Sequence, residues 1–279
     1  MATPDTQRLE VHVFGAGEGE SIIVQTPGGE WGVVDCFASS LTDPTTNAAY
    51  QFLEGQGVEE IQFLCMTHPH RDHFRGMSQL LDRFKIRSFW RPAVLSGKRL
   101  EWLLESVRRD ATKSGADKFL KDSEELFRIF SLVKEKKQTT GKPAIPRHAA
   151  TGMQLLSSDS GAGNFEIWAL APSGRQIERY EDELSACFDA DNRFVRAAAN
   201  SSHNIASMAL LIVFGETRIV LGGDVERFGW QDVLSEFDAN QLSCHLVSNS
   251  RTVCLLGDFG AQSGVRMVLL GRWGWCDWL

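Results

Sequence analysis

Ile61-Gln62-Phe63-Leu64-Cys65-Met66-Thr67-His68-Pro69-His70-Arg71-Asp72-His73 is the stretch whose reading decides the fold. Its first six residues form an apolar run of strand length, bounded by the polar residues that follow. Beyond it, Phe74, Met77, Leu80, Leu81 and Phe84 recur at helical spacing. Three imidazoles and a carboxylate therefore stand on a strand-to-helix loop.

In an extended loop, residues two apart point to the same side, so His68 and His70 are expected to close on one ion. Pro69 stiffens the backbone between them. Asp72 and His73 then face a second ion beside the first. Neutral imidazole suits zinc, and a carboxylate adds a hard oxygen that also suits manganese. The expected cofactors are two divalent metal ions, zinc first and manganese as the alternative. A polar loop whose histidines only meet water is the competing reading. Against it, three of the chain's seven histidines fall in this one window.

The chain's 279 residues are read as one domain that buries a full core. Hydrophobic content of 43% and charged content of 23% suit a soluble globular enzyme, and no apolar run approaches the roughly 20 residues of a membrane span. The N-terminus, Met1-Ala2-Thr3-Pro4-Asp5-Thr6-Gln7-Arg8, lacks the basic start and apolar core of a secretion signal. A cytoplasmic location without membrane association is expected. The six cysteines contain no Cys-x-x-Cys pair and read as free thiols. A net charge of −7 argues against a surface coated for non-specific nucleic-acid binding. A local basic run does exist: Arg83, Lys85, Arg87, Arg91, Lys98 and Arg99, with Phe84, Phe89 and Trp90 among them. It reads either as a solvated face or as a polyanion contact.

Working outward, Leu9–Phe14, Ser21–Val24 and Trp31–Asp35 are short strands separated by glycine turns, a β-meander. The glycines from 15 to 19 lack a Gly-Lys-Ser/Thr ending and lead into a strand, so they are not read as a phosphate loop. His12 alternates with apolar neighbours and reads as a strand residue. Residues 99 to 137 are helical in pattern, and a helical insertion is placed at about 97–140. Lys136 to Pro146 reads as a loop, with His148 at the surface. Later, Met208–Phe214 and Arg218–Leu221 form a hairpin that ends in Gly222-Gly223-Asp224. Asp224 is either a carboxylate delivered to the histidine loop, where its two oxygens can bridge two cations, or a helix N-cap.

These residues, in this order, resemble the metallo-β-lactamase fold superfamily, with its His-x-His-x-Asp-His motif and its later glycine-aspartate turn. The resemblance covers residues 9 to about 245. Within the superfamily, Gly17-Glu18-Gly19-Glu20-Ser21 and Asn204-Ile205-Ala206-Ser207 are similar to the hydrolase domain of the ComEC-like competence proteins. Those proteins handle incoming DNA and carry membrane spans that this chain lacks. The resemblance implies an α/β fold, an αββα sandwich of two mixed β-sheets flanked by helices. It implies that His68, His70, Asp72, His73, His203 and Asp224 are metal ligands, with Asp224 bridging, and that Asp72 and Asp224 also serve catalysis. Asp35 would support a ligand or the loop from behind.

The match fails at the last motif. ComEC-like proteins carry a histidine-bearing segment there, whereas this chain reads Leu246-Val247-Ser248-Asn249-Ser250-Arg251-Thr252. His245 lies four or five positions early. From about 244 to 279 the tail is atypical, with no Lys or Glu and with Trp273, Trp275 and Trp278 close together. A shifted reading frame would account for it.

A divalent ion lowers the pKa of bound water from about 15.7 to about 7, so the chemistry needs no Ser or Cys nucleophile. The expected activity is that of a metal-dependent hydrolase, a phosphodiesterase or nuclease, acting on nucleic acid or another phosphodiester. The alternatives are hydrolysis of a lactam, lactone or thioester, and a metal-binding scaffold that has lost turnover. A protein partner is left open.

Overall fold

The structure, a computed structural model, describes residues 8–15, 19–96, 104, 117–139, 145–160, 163–189, 202–242, 246–249, 252–255 and 265–270. The first sheet contains β1 (Leu9–Gly15), β2 (Glu20–Gln25), β3 (Trp31–Val34), β4 (Glu60–Cys65), β5 (Lys85–Ile86), β6 (Ser88–Pro92), β7 (Ile145–Ala149) and β14 (Val265–Leu270). Its order is β14-β1-β2-β3-β4-β6-β7, with β5 also paired to β4. The second sheet contains β8 (Gln154–Ser160), β9 (Gly163–Ala171), β10 (Ala209–Phe214), β11 (Thr217–Leu221), β12 (Leu246–Asn249) and β13 (Thr252–Leu255), in the order β13-β12-β11-β10-β9-β8. Both are mixed. The expected meander is present, with β1, β2 and β3 antiparallel, while β3, β4, β6 and β7 run parallel.

Alternation along the strands sorts side chains into three apolar layers. Val11, Val13, Ile22, Val24, Val34, Phe63 and Trp90 of the first sheet meet Phe165, Ile167, Leu210, Ile212 and Ile219 of the second. There Phe63 and Trp90 stack with ring centroids 4.1 Å apart. The opposite face of the first sheet packs against α1 (Ala48–Gly55), α3 (Met77–Arg83), α4 (Asp117–Thr139) and α5 (Gly174–Ser185), through Leu53, Leu80, Leu81, Leu126, Ile129 and Leu184. The outer face of the second sheet packs against α7 (Arg227–Glu236) through Val233. The layers are thus helix, sheet, sheet, helix, the predicted αββα sandwich. Among the described residues no helix is long and apolar enough to cross a membrane.

Two local expectations are corrected. The helix of the insertion continues to Thr139, three residues past the predicted start of a loop. His148 lies on β7 rather than in that loop, and its Nε2 is 3.0 Å from Arg91 Nη2. Pro146 suggested a break, but β7 is the edge of its sheet, where a residue without an N–H leaves no inner ladder bond unmade.

Candidate metal centre

Three strand ends build the site. β3 ends beside Asp35, β4 leads through Thr67 into α2 (Arg71–Phe74), and β11 leads through Gly222-Gly223 to Asp224. The two sheets are joined here, because Met208 N–H donates to the Thr67 carbonyl at 3.0 Å. Gly223 has φ +52°, and a Cβ on it would lie 2.7 Å from the Met208 carbonyl oxygen. Only glycine fits that turn.

The turn delivers Asp224 to the histidines. Its Oδ2 is 3.6 Å from His68 Nε2 and its Oδ1 is 3.5 Å from His73 Nε2, so each carboxylate oxygen faces a different imidazole. The helix-cap reading of Asp224 is overturned: α7 begins at Arg227 with Glu226 at its N-cap position, and the Asp224 N–H donates to Ser207 Oγ at 2.9 Å. His68 Nε2 and His70 Nδ1 are 2.9 Å apart, a span that one ion with Zn–N bonds of about 2.0–2.1 Å can bridge. Asp72 Oδ2 lies 3.8 Å from His73 Nε2. His68, His70 and Asp224 thus converge on one point, and His73, Asp72 and the other oxygen of Asp224 meet beside it.

Asp35 organises both histidine positions from behind. Its Oδ2 accepts from His73 Nδ1 at 2.7 Å and from the Thr67 hydroxyl at 2.6 Å, while its Oδ1 accepts the Thr67 N–H at 2.8 Å. Thr67 Oγ in turn lies 3.1 Å from His68 Nδ1. With its proton given to Asp35, that hydroxyl accepts from His68, so His68 presents its Nε2 lone pair to the site, and the bond from His73 Nδ1 to Asp35 turns His73 Nε2 toward Asp224. Asp35 itself holds φ +58°, a left-handed conformation that non-glycine residues seldom adopt. It is fully buried.

Burial, aided by the neighbouring His73, holds His68 well below the ordinary histidine range, so it is neutral and ready to ligate. For His73, burial acts to lower the pKa, but Asp35 and Asp224 outweigh it and hold a proton on the ring in the metal-free chain. Asp224 lies well below the usual carboxylate range because His68 and His73 together outweigh its burial.

Sequence reading missed Glu20 and Thr67. Glu20 opens β2 and is 3% exposed, and burial pushes its pKa up to about 7. One oxygen each from Glu20 and Asp35 and a nitrogen of His73 lie within 4.8 Å of one another. The available signal was a carboxylate placed directly before the apolar run Ser21-Ile22-Ile23-Val24. Of the other candidates, His203 has its backbone on the short helix α6 (Ser202–Ile205), but its side chain is outside the described residues, as is the whole of His245. His12 is a buried strand residue, as read, 3.2 Å from Glu10.

Divalent cations fit this arrangement. Among the described residues His73 Nε2, Asp224 Oδ1 and Glu20 Oε2 are buried with no hydrogen-bond partner, the first two facing each other at 3.5 Å, an expensive state that a cation would relieve. The nitrogen and oxygen donors suit borderline and hard divalent ions.

The family model of the metallo-beta-lactamase superfamily matches residues 15–161, more than half of the chain. The chain belongs to that superfamily. Among curated proteins none matches the sequence. Solved structures similar to this superfamily member include hydrolase AbOPH of the beta lactamase superfamily, 12% identical over 74% of this chain and 56% of its own, with a TM-score of 0.40. Zn(2+)-bound PqqB from Methylobacterium extorquens is 12% identical over 83% of this chain and 60% of its own, with a TM-score of 0.38. CmlA, a diiron beta-hydroxylase from Streptomyces venezuelae, is 14% identical over 79% of this chain and 30% of its own, with a TM-score of 0.34. The chain therefore spans between about a third and three fifths of these three proteins' lengths.

Proposed function

We propose that this superfamily member is a metal-dependent phosphodiesterase. The observation that carries the reading is the position of Asp224, whose two oxygens face two separate groups of donors. His68, His70 and Asp224 would hold one ion, with His203 the sequence candidate for a further ligand, and Asp72, His73 and Asp224 would hold the other. Bound there, a divalent pair acidifies water and offsets the charge on the attacking and leaving oxygens of an in-line phosphoryl displacement. The chain's own part is orientation: Asp35 and Thr67 fix the imidazoles before any ion arrives. Asp72, whose side chain is 39% exposed, is placed to hold or guide a substrate water at the open side.

The ComEC-like likeness and a nucleic-acid substrate belong to this proposal as its finer part. The basic run lends them limited support. Arg83, the last residue of α3, is ion-paired with Glu54 and Glu59, and Arg87, between β5 and β6, with Glu30 and Glu60; the Arg87 N–H donates to the Ile61 carbonyl near the start of β4, at the other end of that strand from the site. Lys98 and Arg99 are outside the described residues. The reading therefore stands on the ligand geometry, and a small phosphodiester serves it as well as a long polymer does.

Purified protein loaded with manganese or zinc would be offered labelled DNA, a cyclic dinucleotide, nitrocefin and a thioester in parallel. Phosphodiester cleavage that stops with a chelator and in a H68A/H70A variant is expected. Turnover of nitrocefin or thioester alone would replace the reading with carbonyl hydrolysis. Bound metal with no turnover would leave a scaffold.

A further inference from the structure

Among the described residues the second ion position lacks the C-terminal ligand that the resemblance implies. By resemblance a histidine near the C-terminus should complete it, yet β12, which runs parallel to β11, reaches the site end at Ser248 and Asn249. His245, the chain's one histidine after 203, precedes that strand, whose first residue Leu246 pairs with Ile219, five positions before Asp224.

A buried carboxylate stands on the other side of the same position. Glu20 lies beside His73 and Asp35, and both oxygens of Asp35 are already engaged by Thr67 and His73. Glu20 Oε2 is buried and has no hydrogen-bond partner among the described residues. Gly19 brings this residue close, since a Cβ there would lie 2.5 Å from the Asp72 carbonyl oxygen, so β2 starts directly against α2. Glu20 and Asp224 thus both lie close to His73, Glu20 within 4.8 Å of one of its nitrogens and Asp224 Oδ1 3.5 Å from its Nε2, and among the described residues Glu20 Oε2, His73 Nε2 and Asp224 Oδ1 have no hydrogen-bond partner. An isolated buried carboxylate is costly, and a cation shared with His73 and Asp224 removes that cost.

We infer that Glu20 is a ligand of the second ion, beside Asp72, His73 and Asp224, in the role the resemblance gives to a C-terminal histidine. Three carboxylates to one imidazole make this position oxygen-rich, which favours a hard ion such as manganese, while His68 and His70 keep the first position suited to zinc. The inference rests on reading the cluster as a two-ion centre.

The test counts ions. Full-length protein is loaded with manganese and desalted, and its metal per chain is measured beside E20Q, an isosteric variant that removes the anionic ligand. The wild type is expected to hold two ions and E20Q one, with an unchanged circular dichroism spectrum. Two ions retained by E20Q would overturn the role of Glu20 and leave the two-ion reading standing. One ion or none in the wild type would overturn both. If E20Q does not fold, a manganese-soaked crystal of the wild type decides: a Glu20 oxygen at about 2.2 Å from the second ion supports the assignment, and a carboxyl turned away from it overturns the assignment.

Discussion

The two sides of the site are held in different ways. On the first, His68 is fully buried and fixed through Thr67 to Asp35, whereas on the second, His73 is equally buried but charged, pressed between Asp35 and Asp224. One side is preorganised with a neutral imidazole, and the other is arranged around a protonated one. The difference teaches that a single residue behind the candidate ligands, Asp35, fixes the geometry of the first side and, with Asp224, the charge of the second.

Removing Asp35 should break the comparison most strongly. D35N keeps the shape but disturbs the hydrogen bonds to His73 and Thr67 together, and a loss of about 10–100-fold in metal affinity is expected on both sides. Calorimetric titration would measure it. T67V removes the hydroxyl that links Asp35 to His68 but leaves the Asp35–His73 hydrogen bond in place, so the first ion should weaken by a smaller factor while the second keeps its affinity. Equal weakening of both ions in T67V would show that the two sides are not held independently.

A smaller effect should appear with pH. His73, raised above the ordinary histidine range, and Glu20, with a pKa of about 7, both carry protons in the metal-free chain at mildly acid pH. Ligation needs both deprotonated, so the second ion should bind more tightly as pH rises from about 6 to about 8, with proton release. Titration in two buffers of different ionisation enthalpy reads the protons directly. An affinity flat across that interval would mean that neither group gives up a proton.

Much of this was legible in the chain. The apolar strand, the histidine loop and the following helix are encoded locally, as is the Gly222-Gly223-Asp224 turn, so an α/β chain and the donors His68, His70, Asp72 and His73 follow from pattern, while the αββα sandwich and the bridging place of Asp224 are what the family resemblance implies. What stayed hidden depends on distant pairings. Asp35 meets His73 across 38 positions, and Glu20 meets the site only because β2 starts against α2. The edge strand carrying His148 was masked by Pro146, which local reading treats as a breaker and which a sheet edge tolerates.

Electron paramagnetic resonance of wild-type protein carrying manganese at both positions tests the central claim most directly, because a carboxylate shared between two ions couples their spins. An exchange-coupled spectrum that disappears in D224N is predicted. Isolated-ion signals in the fully loaded wild type would contradict Asp224 as the bridge between two ions.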